Sequence, residues 1–93
     1  MNKEMNYAEA MKIYESTDVY STCGGFYSAE YRDGDLVYII ENEYANCLSA
    51  FDGKADEDEI FTEDNMIFSK DADELDNDNY MIYLGMLKKL CNL

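Results

Sequence analysis

Hydrophobic residues recur at helical spacing near the start of the chain. Four residues fall at i, i+3, i+4 and i+7, the spacing of one face of an α-helix: Tyr7, Ala10, Met11 and Tyr14. This pattern predicts a helix over 3–16. The polar run 16–18 ends the helical pattern, and Val19 and Tyr20 after it predict a short strand over 19–21.

The clearest local signal is a β-hairpin. Placing Asp33 and Gly34 in a two-residue type I′ turn pairs Arg32 with Asp35 across the turn. In that register three pairs share the predicted core face: Tyr31 with Leu36, Ala29 with Tyr38, and Tyr27 with Ile40. The opposite face carries Val37 and Ile39 beside polar residues, so we expect another part of the chain to cover it.

The second half of the chain predicts two helices and an edge strand. Tyr44, Cys47, Leu48 and Phe51 are at helical spacing and predict a short helix over 43–52. The apolar run 66–68, followed by Ser69 and Lys70, predicts a strand at the edge of the sheet. The last element is predicted as a helix over 79–93, from one apolar stripe: Tyr80, Tyr83, Leu84, Leu87, Leu90 and Cys91.

Together these elements predict an α+β fold. We expect an antiparallel sheet of two or three strands, packed with an N-terminal and a C-terminal helix. The length of 93 residues is that of a single domain, 1–93, which buries roughly 60 to 65% of the surface that its unfolded chain exposes. Thirteen aromatic side chains, nine Tyr and four Phe, supply area for such a core, so the chain is not expected to be a disordered acidic tail.

The amino-acid composition argues against several kinds of catalytic and metal site. The chain has no histidine, so it cannot assemble a Ser-His or Cys-His nucleophile pair. Cys23, Cys47 and Cys91 are far apart and lack the clustered spacing of a zinc site, and we expect them to be free thiols. No apolar run is long enough for a membrane span or placed as in a signal peptide. We therefore expect a cytoplasmic protein that is no enzyme and uses no cofactor or metal.

Negative charge is concentrated in residues 52–78. This segment holds twelve carboxylates and two lysines, which gives −10 of the chain's net −14. A field this strong indicates a strongly positive partner. The predicted partner-binding residues are Asp56, Glu57, Asp58, Glu59, Glu63, Asp64, Asp71, Asp73, Glu74, Asp76 and Asp78.

Three interpretations compete for these acids, and two of them need no such partner. One is a solvated surface that keeps the protein soluble. The other is a calcium site, but the segment fits an EF-hand loop poorly. A loop starting at Asp52 has Lys54 at ligand position 3 and Glu57 in place of the glycine, and one starting at Asp71 has Leu75 at position 5.

The third interpretation is mimicry of a nucleic-acid backbone. Acids at i and i+2 of an extended chain repeat every ~6.6 Å, and such a row offers regularly spaced negative charge to a groove that binds phosphates. The interspersed Ile60, Phe61, Met66 and Phe68 are expected to anchor the segment. Tyrosines can add aromatic contacts to such an interface, but six of them are expected to be core residues instead: Tyr7, Tyr14, Tyr27, Tyr31, Tyr38 and Tyr83.

In size, charge and mixed α/β order, the chain resembles the small, very acidic phage proteins that block restriction or CRISPR nucleases, many of which mimic DNA. The resemblance implies a non-catalytic inhibitor in the host cytoplasm. Such a protein binds the basic nucleic-acid channel of a CRISPR effector or nuclease, and binds neither nucleic acid nor membrane itself. Acidic immunity proteins against nuclease toxins, a structural or interaction module, and a cation-binding protein remain alternatives.

Overall fold

The computed structural model describes residues 7–21 and 25–92, so Cys23 and residues 3–6 of the first predicted helix lie outside the described part. Two helices and five strands make up most of it. They are α1 (Tyr7–Ser16), β1 (Asp18–Ser21), β2 (Tyr27–Asp33), β3 (Leu36–Glu41), β4 (Cys47–Asp52), β5 (Met66–Asp71) and α2 (Asn77–Cys91). Short 3₁₀ turns lie at Asn42–Tyr44, Glu63–Asn65 and Ala72–Glu74.

The five described strands form one antiparallel sheet in the order of the chain, β1-β2-β3-β4-β5. Helix α2 lies against β2 and β3, and α1 lies against α2 and β2. The predicted α+β class is confirmed, but the sheet has five strands where two or three were expected. No helix in the described ranges has the length and apolar character needed to cross a membrane.

The hairpin is present, but its predicted register was wrong by two residues. Asp33 pairs with Leu36, so the two-residue loop is Gly34 and Asp35. Gly34 has φ +60°, and no described residue other than glycine has a positive φ. A type I′ turn at 33–34 would force Asp33 into that region, whereas a loop that starts with Gly34 requires it of glycine alone.

A shift of two residues keeps each side chain on its predicted face. Tyr38 therefore lies opposite Tyr31, and Ile40 lies opposite Ala29, with all four on the face toward the helices. Tyr27, at the end of β2, is exposed instead of buried.

The predicted helix over 43–52 was wrong, since most of this segment is strand β4. Leu48 and Ala50 alternate into the core, and both are fully buried. Pairing of β4 with β3 and β5 on its two sides satisfies the backbone of the strand, and this tertiary pairing outweighs the local helical spacing. The predicted strand over 66–68 is confirmed as β5, although it pairs with β4 rather than with the hairpin.

The C-terminal helix is confirmed and begins two residues earlier than predicted. Asp76 is its N-cap, since the carboxylate accepts a hydrogen bond of 2.9 Å from the Asn79 amide. Lys88 and Lys89 lie in the last turn, where positive charge is favourable. Its most buried side chains, Met81 and Met86, lie in the core between sheet and helices.

The two helices approach closely at Gly85 of α2. A methyl group at Gly85 would lie 2.6 Å from the Ala10 carbonyl oxygen and 2.8 Å from the Ile13 side chain. Ile13, at this contact, lies in the core, whereas Met11, which was placed on one helical face with Tyr7, Ala10 and Tyr14, is 45% exposed.

We predict that Gly85→Ala destabilises the protein by about 1 to 3 kcal/mol, because the added methyl group forces the helices apart. Ordinarily the same change inside a helix stabilises by about 0.5 to 1 kcal/mol. Urea unfolding of the variant measures whether the free energy of unfolding falls or rises. Lys88→Ala, at an exposed position of α2, serves as the control, and a gain in stability for Gly85→Ala would show that the helices do not meet at this glycine.

Three core tyrosines have raised pKa values. Burial is the main cause at Tyr31, Tyr38 and Tyr83, and the charge of Asp33 adds to it at the first two. The rings of Tyr31 and Tyr38 stack with centroids 6.1 Å apart. A phenol whose folded pKa lies above the unfolded value of about 10 stabilises the fold while it is neutral.

That contribution is complete below about pH 10 and is lost as pH rises through the folded pKa. We predict that the urea midpoint falls as pH rises above about 10, and that Tyr38→Phe reduces the fall. Tyr27→Phe, at an exposed tyrosine, is the matched control. The same dependence on pH in both variants would contradict a role for the buried phenol.

Candidate functional site

Residues 53–65, which we name the acidic loop, cover part of the sheet face that points away from the helices. Ile60 is 1% exposed and packs with Val37 of β3 and Phe51 of β4. Phe61 packs edge to face on Phe51, with ring centroids 5.3 Å apart, and remains 50% exposed. The expected cover over this second face is therefore the acidic segment itself.

The acidic loop is held by its own hydrogen bonds. The Glu59 carbonyl oxygen accepts bonds from the Thr62 hydroxyl at 2.8 Å and from the Asn65 amide group at 2.7 Å. The Glu59 amide donates to the Asp56 carbonyl at 2.8 Å. At the start of the loop, the Gly53 amide donates to the Asp35 carbonyl at 2.7 Å. These bonds fix the backbone that carries the acids.

The chain's single arginine links the acidic loop to the sheet. Arg32 on β2 lies 2.9 Å from Glu30, two residues before it on the same strand, and 3.4 Å from Glu57 of the loop. The Glu30 bond is the main cause of a raised Arg32 pKa. Arg32 was expected to pair with Asp35. In the observed register Val37, and not Asp35, lies opposite Arg32, so the guanidinium pairs with Glu30 on its own strand and with Glu57 of the acidic loop.

All eleven predicted partner-binding residues are exposed. Glu57 is the only one with an ion pair among the described residues. None of the other ten is neutralised by an ion pair within 7–21 and 25–92.

These acids do not form one continuous row. The first group belongs to the acidic loop: Asp56, Glu57, Asp58, Glu59, Glu63 and Asp64. The second group lies at the other end of β5 and at the start of α2: Asp71, Asp73, Glu74, Asp76 and Asp78. Strand β5 lies between the groups and spans about 17 Å, because five rises of about 3.3 Å separate its first and last residues.

In the second group, two carboxylates already have partners within the fold. Asp76 caps α2, and Asp71 accepts a 3.0 Å hydrogen bond from the Cys47 thiol. That bond is the main cause of a raised Cys47 pKa. The thiol is therefore held in its protonated, less nucleophilic form.

Beside the acidic loop lies a groove of about 620 Å³ on the same outer face. Its floor contains Ile39 and Ser49, and one side is lined by Phe61 of the acidic loop and by Met66, the first residue of β5. Tyr20 of β1 lines it at the other edge of the sheet. The groove thus combines apolar and hydroxyl-bearing side chains with an acidic border.

Sequence reasoning assigned Phe61 and Met66 to anchoring, but it did not assign Tyr20, Ile39 or Ser49 to a site. These residues come from separate strands, and only the full five-stranded register brings them together. The available signal was the mixed character of the face that carries Ile39. That signal predicted a cover without showing how much of the face stays open.

No group of three or more His, Cys, Asp or Glu residues arranged to hold a metal ion occurs within 7–21 and 25–92. Comparison of the chain with protein-family models, curated proteins and solved structures finds no match.

We predict that Ile60→Ala destabilises the protein by about 2 to 4 kcal/mol, because it removes a fully buried side chain and leaves a cavity under the acidic loop. Ile67→Ala is the matched control, since Ile67 is 54% exposed. Urea unfolding and amide hydrogen exchange at 53–65 measure the two effects. Equal stability of the two variants would contradict the packing of Ile60.

Proposed function

We propose that this protein is a non-catalytic inhibitor that binds the basic nucleic-acid-binding surface of a CRISPR effector or nuclease. The observation that supports this most directly is the exposure of all eleven acids with a single described ion pair among them. Solubility needs a net charge of only about 2 to 8 on a small domain, and this chain carries −14.

The support under the charges favours mimicry over a solvated tail. The internal hydrogen bonds of the acidic loop and the buried Ile60 beneath it hold the backbone of its acidic residues in place before binding. Binding then costs less conformational entropy, because the backbone of the acidic loop is already ordered. Duplex DNA presents one charge per ~1.7 Å of axis, so a competitor must offer several fixed carboxylates to lysine and arginine contacts.

The two acidic groups give the proposal a geometric form. They lie at the two ends of β5, which spans about 17 Å, and this length corresponds to about five nucleotides at an axial rise of 3.4 Å per nucleotide of one DNA strand. A basic channel that follows a nucleic-acid backbone spans both groups at once. We therefore expect both groups to contribute to binding.

The test uses a panel of purified CRISPR effectors and restriction nucleases. Fluorescence anisotropy measures each enzyme's binding to its labelled target DNA, with and without the wild-type chain. The expected result is that the chain displaces DNA from at least one enzyme, and that displacement weakens steeply between 50 and 200 mM salt. An enzyme that binds chain and DNA together would contradict mimicry, and displacement from none would overturn the proposal.

Three double variants, each of which changes the charge by the same amount, locate the interface. We predict that Asp56→Lys with Asp58→Lys, and Asp71→Lys with Asp73→Lys, each weaken inhibition by about tenfold or more, because the attraction is a sum over charges. Glu9→Lys with Glu15→Lys, on α1, is the control and should change inhibition little. Circular dichroism checks each fold, and an equal loss from all three variants would indicate a diffuse charge effect.

A further inference from the structure

The groove beside the acidic loop has a shape that bulk charge does not explain. We propose that it binds an extended basic segment of the partner, with apolar side chains in the groove and its arginine or lysine side chains at the acidic border. This inference rests on the proposed function, because the same basic partner supplies the segment. It adds a site whose residues are distinct from the two exposed acidic groups, apart from Glu63.

The groove crosses the whole sheet. One row of outward-facing residues runs directly across four neighbouring strands through paired positions: Glu30, Ile39, Ser49 and Ser69. Tyr20 on β1 extends the lining to the fifth strand. Five strands spaced about 4.8 Å apart span about 19 Å, which an extended segment of about six residues crosses at 3.3 Å per residue.

The charged residues that line the groove indicate that the segment it binds is positively charged. Three charged residues line it, and all three are acidic: Glu30, Glu41 and Glu63. Arg32 already pairs with Glu30, whereas Glu41 and Glu63 are exposed, one on each side of the floor. A basic segment complements this border, and an acidic segment or a nucleic acid is repelled by it.

The floor of the groove and the side that Phe61 and Met66 line indicate that the bound segment also carries apolar side chains. Ile39 is partly buried, and Met66 and Phe61 are 40% and 50% exposed, so apolar area is available to a ligand side chain. The hydroxyls of Ser49 and Ser69 lie 3.0 Å apart on the floor and can bond a peptide backbone. Side chains of an extended peptide alternate between two sides, so one row faces the floor, and arginine or lysine side chains of the other row are long enough to bend back to the acidic border.

Three synthetic hexapeptides test the groove directly on the full chain. The first alternates arginine and leucine, the second alternates arginine and serine and so keeps charge and length, and the third alternates glutamate and leucine. Isothermal titration measures affinity, and NMR shift changes at Ile39, Ser49 and Ser69 locate binding. We expect the arginine–leucine peptide to bind at least tenfold more tightly than the arginine–serine peptide, and the third not to bind.

Ser49→Tyr fills the floor of the groove without changing any charge, and Ser16→Tyr at the end of α1 is its matched control. We expect Ser49→Tyr to weaken arginine–leucine binding at least tenfold and arginine–serine binding little, while Ser16→Tyr changes neither. Phe61→Ala is a second variant that removes a groove side chain from the exposed surface. Its expected effect is a faster dissociation of the same peptide. Melting curves confirm that each variant is folded.

The outcomes separate this inference from the proposed function. Equal affinity for the two arginine peptides, or no effect of Ser49→Tyr, overturns the groove as a binding site. If wild-type chain and Ser49→Tyr then displace DNA from the partner equally well, the proposed function stands on the exposed acids alone. If Ser49→Tyr also weakens displacement, the groove is part of the interface. If the wild-type chain displaces no DNA, the proposed function fails, whatever the peptides do.

Discussion

The packing of Ile60 against Val37 and Phe51 holds the acidic loop, with six of the exposed carboxylates, against the sheet. Burying one isoleucine contributes about 1.5 to 3 kcal/mol, and repulsion among the exposed acids around it opposes that contribution. At physiological ionic strength, salt screens the repulsion between exposed charges that are more than about 8 Å apart. The contribution from burying Ile60 does not depend on this screening. The Glu30–Arg32–Glu57 contact adds a polar link. A segment with six exposed carboxylates is thereby held over the sheet.

Local patterns predicted most elements of the fold, but they could not count the strands. The helix α2 and the hairpin around Gly34 are formed by backbone hydrogen bonds between residues close in sequence, and both were recognised. Strand β4 was not, because Cys47, Leu48 and Phe51 fit helical spacing, while only pairing with β3 and β5 favours the extended form. The wrong hairpin register had no effect on the faces, since a two-residue shift preserves alternation.

The candidate site was predictable in composition and unpredictable in arrangement. That acids such as Asp56 and Asp73 would be exposed follows from their charge. Their separation into two groups depends on β5 being a strand that carries the chain from one end of the sheet to the other. The groove could not be predicted from local patterns, because four successive strand pairings bring its lining residues together. An error in any one of them, such as the helix predicted over 43–52, removes the groove.

The close contact of α1 with α2 at Gly85 has a consequence for the order of folding. Every described strand pairs with its neighbour in sequence, so the sheet can grow strand by strand as the chain is synthesised. Helix α1 has no such local partner, because α2, which follows the whole sheet, supplies much of its contact surface. An isolated ten-residue helix is marginal in water. We therefore expect α1 to stay undocked until α2 leaves the ribosome, which makes the pairing of the two helices the last step that completes the core.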